Sequence, residues 1–249
     1  MSSKRVLITD EAAGKELELP VIQGSEGEPT LDIKGLAPTL GYFTYDPGYG
    51  GTASCTSRIT FIDGKEGGLR YRGIPIEEFE TSFNFVEVAW LLIFGNLPTR
   101  EEYTNFSDEL TANANLDEDM KHHFNGFPRS APPMAVLSAM ISTLSCFHPE
   151  FNQLDNADQF VQAAARLISK IRTLAAYTYR RSRGLPYIYP DPSLPYVSNF
   201  LHMMFSEPYK SFDMDEDIRK ALNLILILHA DHEQNCSTST VRMVGSSRA

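Results

Sequence analysis

Leu222-Asn223-Leu224-Ile225-Leu226-Ile227-Leu228 runs directly into His229-Ala230-Asp231-His232-Glu233-Gln234-Asn235, and a run of hydroxyls, Ser237-Thr238-Ser239-Thr240, follows ahead of Val241-Arg242. Upstream, Asp213, Asp215, Glu216 and Asp217 supply the acidic first turn that complements the positive end of a helix dipole. Ile218, Ala221, Leu222, Ile225 and Leu228 recur at helical spacing, and Leu224, Leu226 and Ile227 extend the apolar surface almost all round. That pattern predicts a helix buried in a large core rather than one lying on the surface. The apolar run is too short to cross a bilayer, which takes about 20 residues.

A buried helix that ends in two histidines, two carboxylates and two amides has to satisfy them, because unpaired polar groups away from water are costly. The residues by themselves allow three readings. One is an internal hydrogen-bond network. A second is a metal site, although His229, His232 and Glu233 match neither the H-E-x-x-H nor the H-x-x-E-H arrangement. The third is a site for an anionic ligand, with His232 as a cationic or hydrogen-bonding contact.

Outward from this stretch, the 249 residues are 42% hydrophobic and 22% charged, the composition of an ordinary globular protein. A net charge of -10 argues against nucleic acid or an anionic membrane as partner. Cys55, Cys146 and Cys236 are odd in number and widely spaced, so they read as reduced thiols of a cytoplasmic protein and not as a disulfide framework. Met1-Ser2-Ser3-Lys4-Arg5-Val6 has no apolar core of a signal peptide.

Residues 1–75 carry β character. Arg5-Val6-Leu7-Ile8 and Leu17-Glu18-Leu19-Pro20-Val21-Ile22 are strand candidates, and Ile59–Ile62 with Leu69–Tyr71 reads as a hairpin. Gly67-Gly68 has no phosphate-loop context and reads as turn chemistry. Residues 76–249 are predicted to be helical almost throughout. Asn84 with Glu87, and Thr99 with Glu102, form capping boxes. Pro133 can open a largely apolar helix over 134–147, and a long helix over 159–181 finds its stop at Gly184. On that long helix Arg166 and Lys170 lie one turn apart, which on its own reads as a solvated basic face.

The run Leu226–Ser247 resembles the citrate synthase family, most of all its bacterial form that carries an extra N-terminal β region and is often hexameric. Ala53-Ser54-Cys55, Ile59-Thr60-Phe61-Ile62-Asp63-Gly64, Pro133-Met134-Ala135-Val136 and Asn199-Phe200-Leu201 extend the resemblance over nearly the whole chain. It implies a mainly α fold, with part of a multi-helical large domain over 76–249 behind a small β-rich region over 1–75. It implies condensation of acetyl-CoA with oxaloacetate to citrate and CoA, as in the tricarboxylic acid cycle, in a homodimer or hexamer without metal or resident cofactor. A 2-methylcitrate synthase is the enzymatic alternative, since one methylene is worth only about 1–3 kcal/mol of discrimination. A non-catalytic fragment or interaction module is the alternative of another class.

Residue by residue, the resemblance makes His232 the contact to oxaloacetate, Ser237 a hydroxyl supporting a catalytic histidine and the acetyl-CoA site, and Asn235 a neighbouring amide that braces the loop. Arg166 and Lys170 match positions that contact NADH in allosteric bacterial members. The family's Pro-x-His-Gly histidine, Gly-x-Gly-His histidine and enolising aspartate have no counterpart in these 249 residues, which end in Gly245-Ser246-Ser247-Arg248-Ala249. The three are expected beyond Ala249, so no catalytic residue is assigned, and the chain alone, as a truncated portion, is expected to be inactive.

Overall fold

The computed structural model describes residues 4–152, 157–210 and 212–246. The chain separates into two compact units, one formed by residues up to Gly73 together with those from His232 onward, the other by Ile74–Asp231. The first unit's end at Gly73 lies close to the boundary expected near residue 75, while residues 232–249, expected with the helices, group with the first unit.

The first unit begins with β1 (Arg5–Asp10) and β2 (Lys15–Ile22), paired antiparallel with Arg5 opposite Pro20 and Asp10 opposite Lys15. A two-residue strand, β3 (Thr30–Leu31), extends this sheet, and the short helix α1 (Leu36–Leu40) packs on β2. The expected hairpin is present as β4 (Thr60–Asp63) and β5 (Gly68–Tyr71), with Thr60 opposite Tyr71. Its connection is held by Asp63, whose carboxylate accepts from the Lys65 and Glu66 amides and whose carbonyl accepts from Gly67. Gly67 sits at φ 74, the left-handed conformation that glycine adopts without steric cost.

The second unit is helical: α2 (Phe79–Ser82), α3 (Phe85–Phe94), α4 (Arg100–Ala112), α5 (Met120–His123), α6 (Pro133–Phe147), α7 (Ala157–Arg183), α8 (Tyr196–Phe205) and α9 (Glu216–Leu228). The last helix of the chain, α10 (Cys236–Ser246), belongs to the first unit. No described helix is long and apolar enough to cross a membrane. Both capping boxes form. Asn84 accepts from Val86 and Glu87 while Glu87 accepts from the Asn84 amide, and Thr99 and Glu102 do the same at α4. These caps satisfy N–H groups that the helix itself leaves without partners.

α7 organises the core. Leu174, Ala176 and Tyr177 join Met120, Phe124, Met140, Leu144 and Met203 in one buried cluster, while Ala165 joins Val86, Ala89, Phe106 and Leu110 in another. Polar residues of α7 are buried as well, and each finds a carbonyl: Ser169 that of Leu110, Lys170 that of Asn115 at 2.8 Å, and Thr173 that of Ala114 at 2.7 Å. Arg180, 1% exposed, donates to Pro186 and to the α8 terminus through the carbonyls of Met204 at 2.9 Å and Ser206 at 3.0 Å. A guanidinium suits that place because helix C-terminal carbonyls lack intrahelical donors and carry partial negative charge.

Of the burial expected for α9 in a complete domain, the described residues show one flank. Ile227 is fully buried and Leu222, Leu224 and Leu226 are partly so, but Ile218 is 55% exposed, Ile225 51% and Leu228 42%. The helix packs against α2, α3 and α8 along one side. Asn223 secures that side by accepting from the Phe85 amide at 2.9 Å and donating to the Phe83 carbonyl at 3.3 Å. Apolar side chains all round a helix describe what it could bury. Burial itself needs neighbours all round, and among the described residues α9 has them on one flank.

Candidate substrate site

The polar stretch after α9 divides at the unit boundary. His229 ends α9, with its ring nitrogen Nδ1 2.8 Å from the Ile225 carbonyl. From His232 onward the chain belongs to the first unit, where two regions distant in sequence meet.

One is the loop that begins at Asp46. Its carboxylate accepts from Gly50 N at 3.2 Å, Gly51 N at 2.9 Å and the Thr52 hydroxyl at 2.6 Å. The hydroxyl bond, then the amide bonds, hold the Asp46 carboxyl below the usual range, since they favour its charged form. The other region is His232–Ser246. Ser54 Oγ donates to Gln234 Oε1 at 2.6 Å, and Cys55 Sγ lies 3.4 Å from the same oxygen. Glu233 accepts from the Ile62 amide of β4 at 3.1 Å, and Arg242 donates to the Ser54 carbonyl at 2.9 Å. Glu233 has φ 68, uncommon for a residue with a side chain, and its side chain holds the β4 backbone amide.

The three residues expected to bind substrate lie in this unit. His232 is exposed, directly before the left-handed Glu233. Asn235 is half-buried and caps α10, its Oδ1 accepting from Thr238 N at 2.8 Å. Ser237 sits exposed in the first turn of α10. Asn235 thereby holds the start of the helix that carries Ser237. Arg166 and Lys170 are on α7 in the helical unit and go to different partners. Arg166 pairs with Glu150 at 2.6 Å, and Lys170, buried, donates to Asn115. Burial and the Arg166 charge push the Lys170 ammonium below the ordinary lysine range.

A sequence model described as "Citrate synthase, C-terminal domain" matches residues 48–249. The chain belongs to the citrate synthase family. Among solved structures, citrate synthase from Thermotoga maritima MSB8 is 30% identical, with TM-score 0.68 over 83% of this chain and 52% of that one. Citrate synthase from Pyrobaculum aerophilum is 28% identical, with TM-score 0.71 over 92% and 54%. The enzyme from Thermoplasma acidophilum, described as a ternary complex with carboxymethyl coenzyme A and oxaloacetate, is 25% identical, with TM-score 0.69 over 78% and 50%. The chain thus spans about half the length of the citrate synthases it matches.

The partnership of Ser54 and Ile62 with Glu233, Gln234 and Arg242 leaves no sign in the sequence pattern. The residues stand more than 170 positions apart, and hydrophobic periodicity does not report such pairings. The Gly- and Pro-rich composition of residues 41–51 marks a loop but carries no signal for what it meets.

Proposed function

We propose that the protein acts in the condensation of acetyl-CoA with oxaloacetate, yielding citrate and CoA. The observation that carries this reading is the family match over 48–249, which spans His232, Asn235 and Ser237. The Thermoplasma acidophilum relative, described with oxaloacetate and a coenzyme A analogue, supports the substrate class. In this reading His232 donates to oxaloacetate and fixes the orientation of its ketone, a positioning contribution. Asn235 holds the α10 terminus, and Ser237 supports the acetyl-CoA side. Enolisation needs a carboxylate base and neutral donors shielded from water. Residues 1–249 contain neither a Pro-x-His-Gly nor a Gly-x-Gly-His motif to supply the donors. We therefore assign them substrate positioning and expect no turnover from them alone. A homodimer or hexamer is the assembly the resemblance implies.

The test is oxaloacetate-dependent thiol release from acetyl-CoA, measured on the protein as its own cells make it, on the same protein carrying His232→Ala, and on residues 1–249 alone. His232→Ala is expected to raise the apparent KM for oxaloacetate and to lower turnover about 10²–10³-fold, the typical loss of one preorganised donor. Acetyl-CoA affinity should change less. Unchanged oxaloacetate kinetics would remove His232 from the site, and turnover by residues 1–249 would overturn the division of roles. A preference for propionyl-CoA would favour the 2-methylcitrate reaction.

A further inference from the structure

Two of the three cysteines lie in the first unit on the two segments that meet there. Cys55 follows Ser54 in the loop, and Cys236 opens α10; both thiols are free and exposed. The contacts between the segments bracket the pair. Gln234, two residues before Cys236, takes Ser54 Oγ and lies 3.4 Å from Cys55 Sγ. Arg242 holds the Ser54 carbonyl from further along α10. Met243 Sδ lies 3.7 Å from the Tyr49 hydroxyl, and Met243 is seven residues, two helical turns, beyond Cys236. Cys236 therefore shares the helix face of Met243, which meets Tyr49 of the loop. All of these bonds are exposed, so the docking of α10 rests on contacts that individually stabilise little.

We propose that Cys55 and Cys236 form a reversible intrachain disulfide, a redox-sensitive clasp between the 49–62 loop and the start of α10. The oxidant is a low-molecular-weight disulfide. One cysteine thiolate attacks it, breaking its S–S bond and releasing one thiol, and leaves a mixed disulfide on the protein. The second cysteine thiolate attacks the protein sulfur of that mixed disulfide, forming the Cys55–Cys236 bond and expelling the second thiol. Two cysteine sulfurs are oxidised, the external disulfide is reduced to two thiols, and the two cysteine protons end on those thiols. The link would pin the turn holding Asn235 and Ser237 to the loop. The inference does not depend on the catalytic reading.

The experiment treats the reduced chain, in a Cys146→Ser background, with oxidised glutathione, followed by thiol counting and non-reducing peptide mapping. Expected are the loss of both remaining thiols, a chain of unchanged molecularity, and a peptide pair joining Cys55 to Cys236. Closure should be about tenfold or more faster than in urea, where the ends of so long a loop meet only by chance. Gln234→Ala and Arg242→Ala should each slow it toward the unfolded rate. Persistent glutathione adducts on both cysteines, links between chains, equal closure in urea, or indifference to both substitutions would each overturn the clasp.

Discussion

α7 and α9 belong to the same unit and invert the usual expectation of a helix. α7 carries Ser169, Lys170, Arg172, Thr173, Thr178 and Arg180, all buried. α9, built around a run of leucines and isoleucines, leaves Ile218, Ile225 and Leu228 in the open. The difference lies in what surrounds each helix. α4, α6 and α8 pack around α7 and offer carbonyls as well as apolar surface, so Lys170, Thr173 and Arg180 find partners rather than being stranded. Composition describes what a helix can tolerate, and its neighbours decide what it buries.

The strongest challenge to this contrast is Arg180→Ala. Several buried carbonyls, at the α8 terminus and at Pro186, would lose their donor together, and the expected destabilisation is about 3–5 kcal/mol in denaturant unfolding. A loss below about 1 kcal/mol would mean that water reaches those carbonyls and that α7 is less enclosed than described.

A matched pair of truncations follows. Leu174→Ala, in the fully buried stretch of α7, should cost about 2–5 kcal/mol, whereas Ile225→Ala on the open side of α9 should stay within about 0.5 kcal/mol. Equal costs would show that the outer flank of α9 is covered in solution, and the contrast would then vanish.

The smallest effect is at the half-buried pair of Glu150, ahead of α7, and Arg166 on that helix. Glu150 accepts from Arg166 at 2.6 Å and lies 3.2 Å from His148 Nδ1. Its own backbone amide, then His148 and Arg166, hold its carboxyl below the usual glutamate value. A carboxylate with a depressed folded pKa adds stability that is present above its unfolded pKa and is lost as pH falls through the folded one. Glu150→Gln should therefore cost no more than about 0.2–1 kcal/mol near neutrality, as for other exposed pairs, and nothing at strongly acid pH. Stability measured against pH for both proteins checks this. A difference that persisted in acid would assign the effect to packing.

Much of the local architecture was legible because its causes are local. Asn84, Thr99, Pro133 and Gly184 mark helix ends through backbone chemistry a few residues away, and Asp63 with Gly67 turns the β4–β5 hairpin in the same way. Leu226–Ser247 carried the family because a long ordered run is specific. The placement of His232, Asn235 and Ser237 in one stretch was likewise given by their adjacency in the chain. The tertiary structure decided that Glu233, Gln234 and Arg242 serve the 54–62 segment, that Lys170 turns inward to Asn115, and that α9 stays half open. These outcomes depend on which distant surfaces supply a donor, an acceptor or an apolar cover. Periodicity and composition hold no record of that supply.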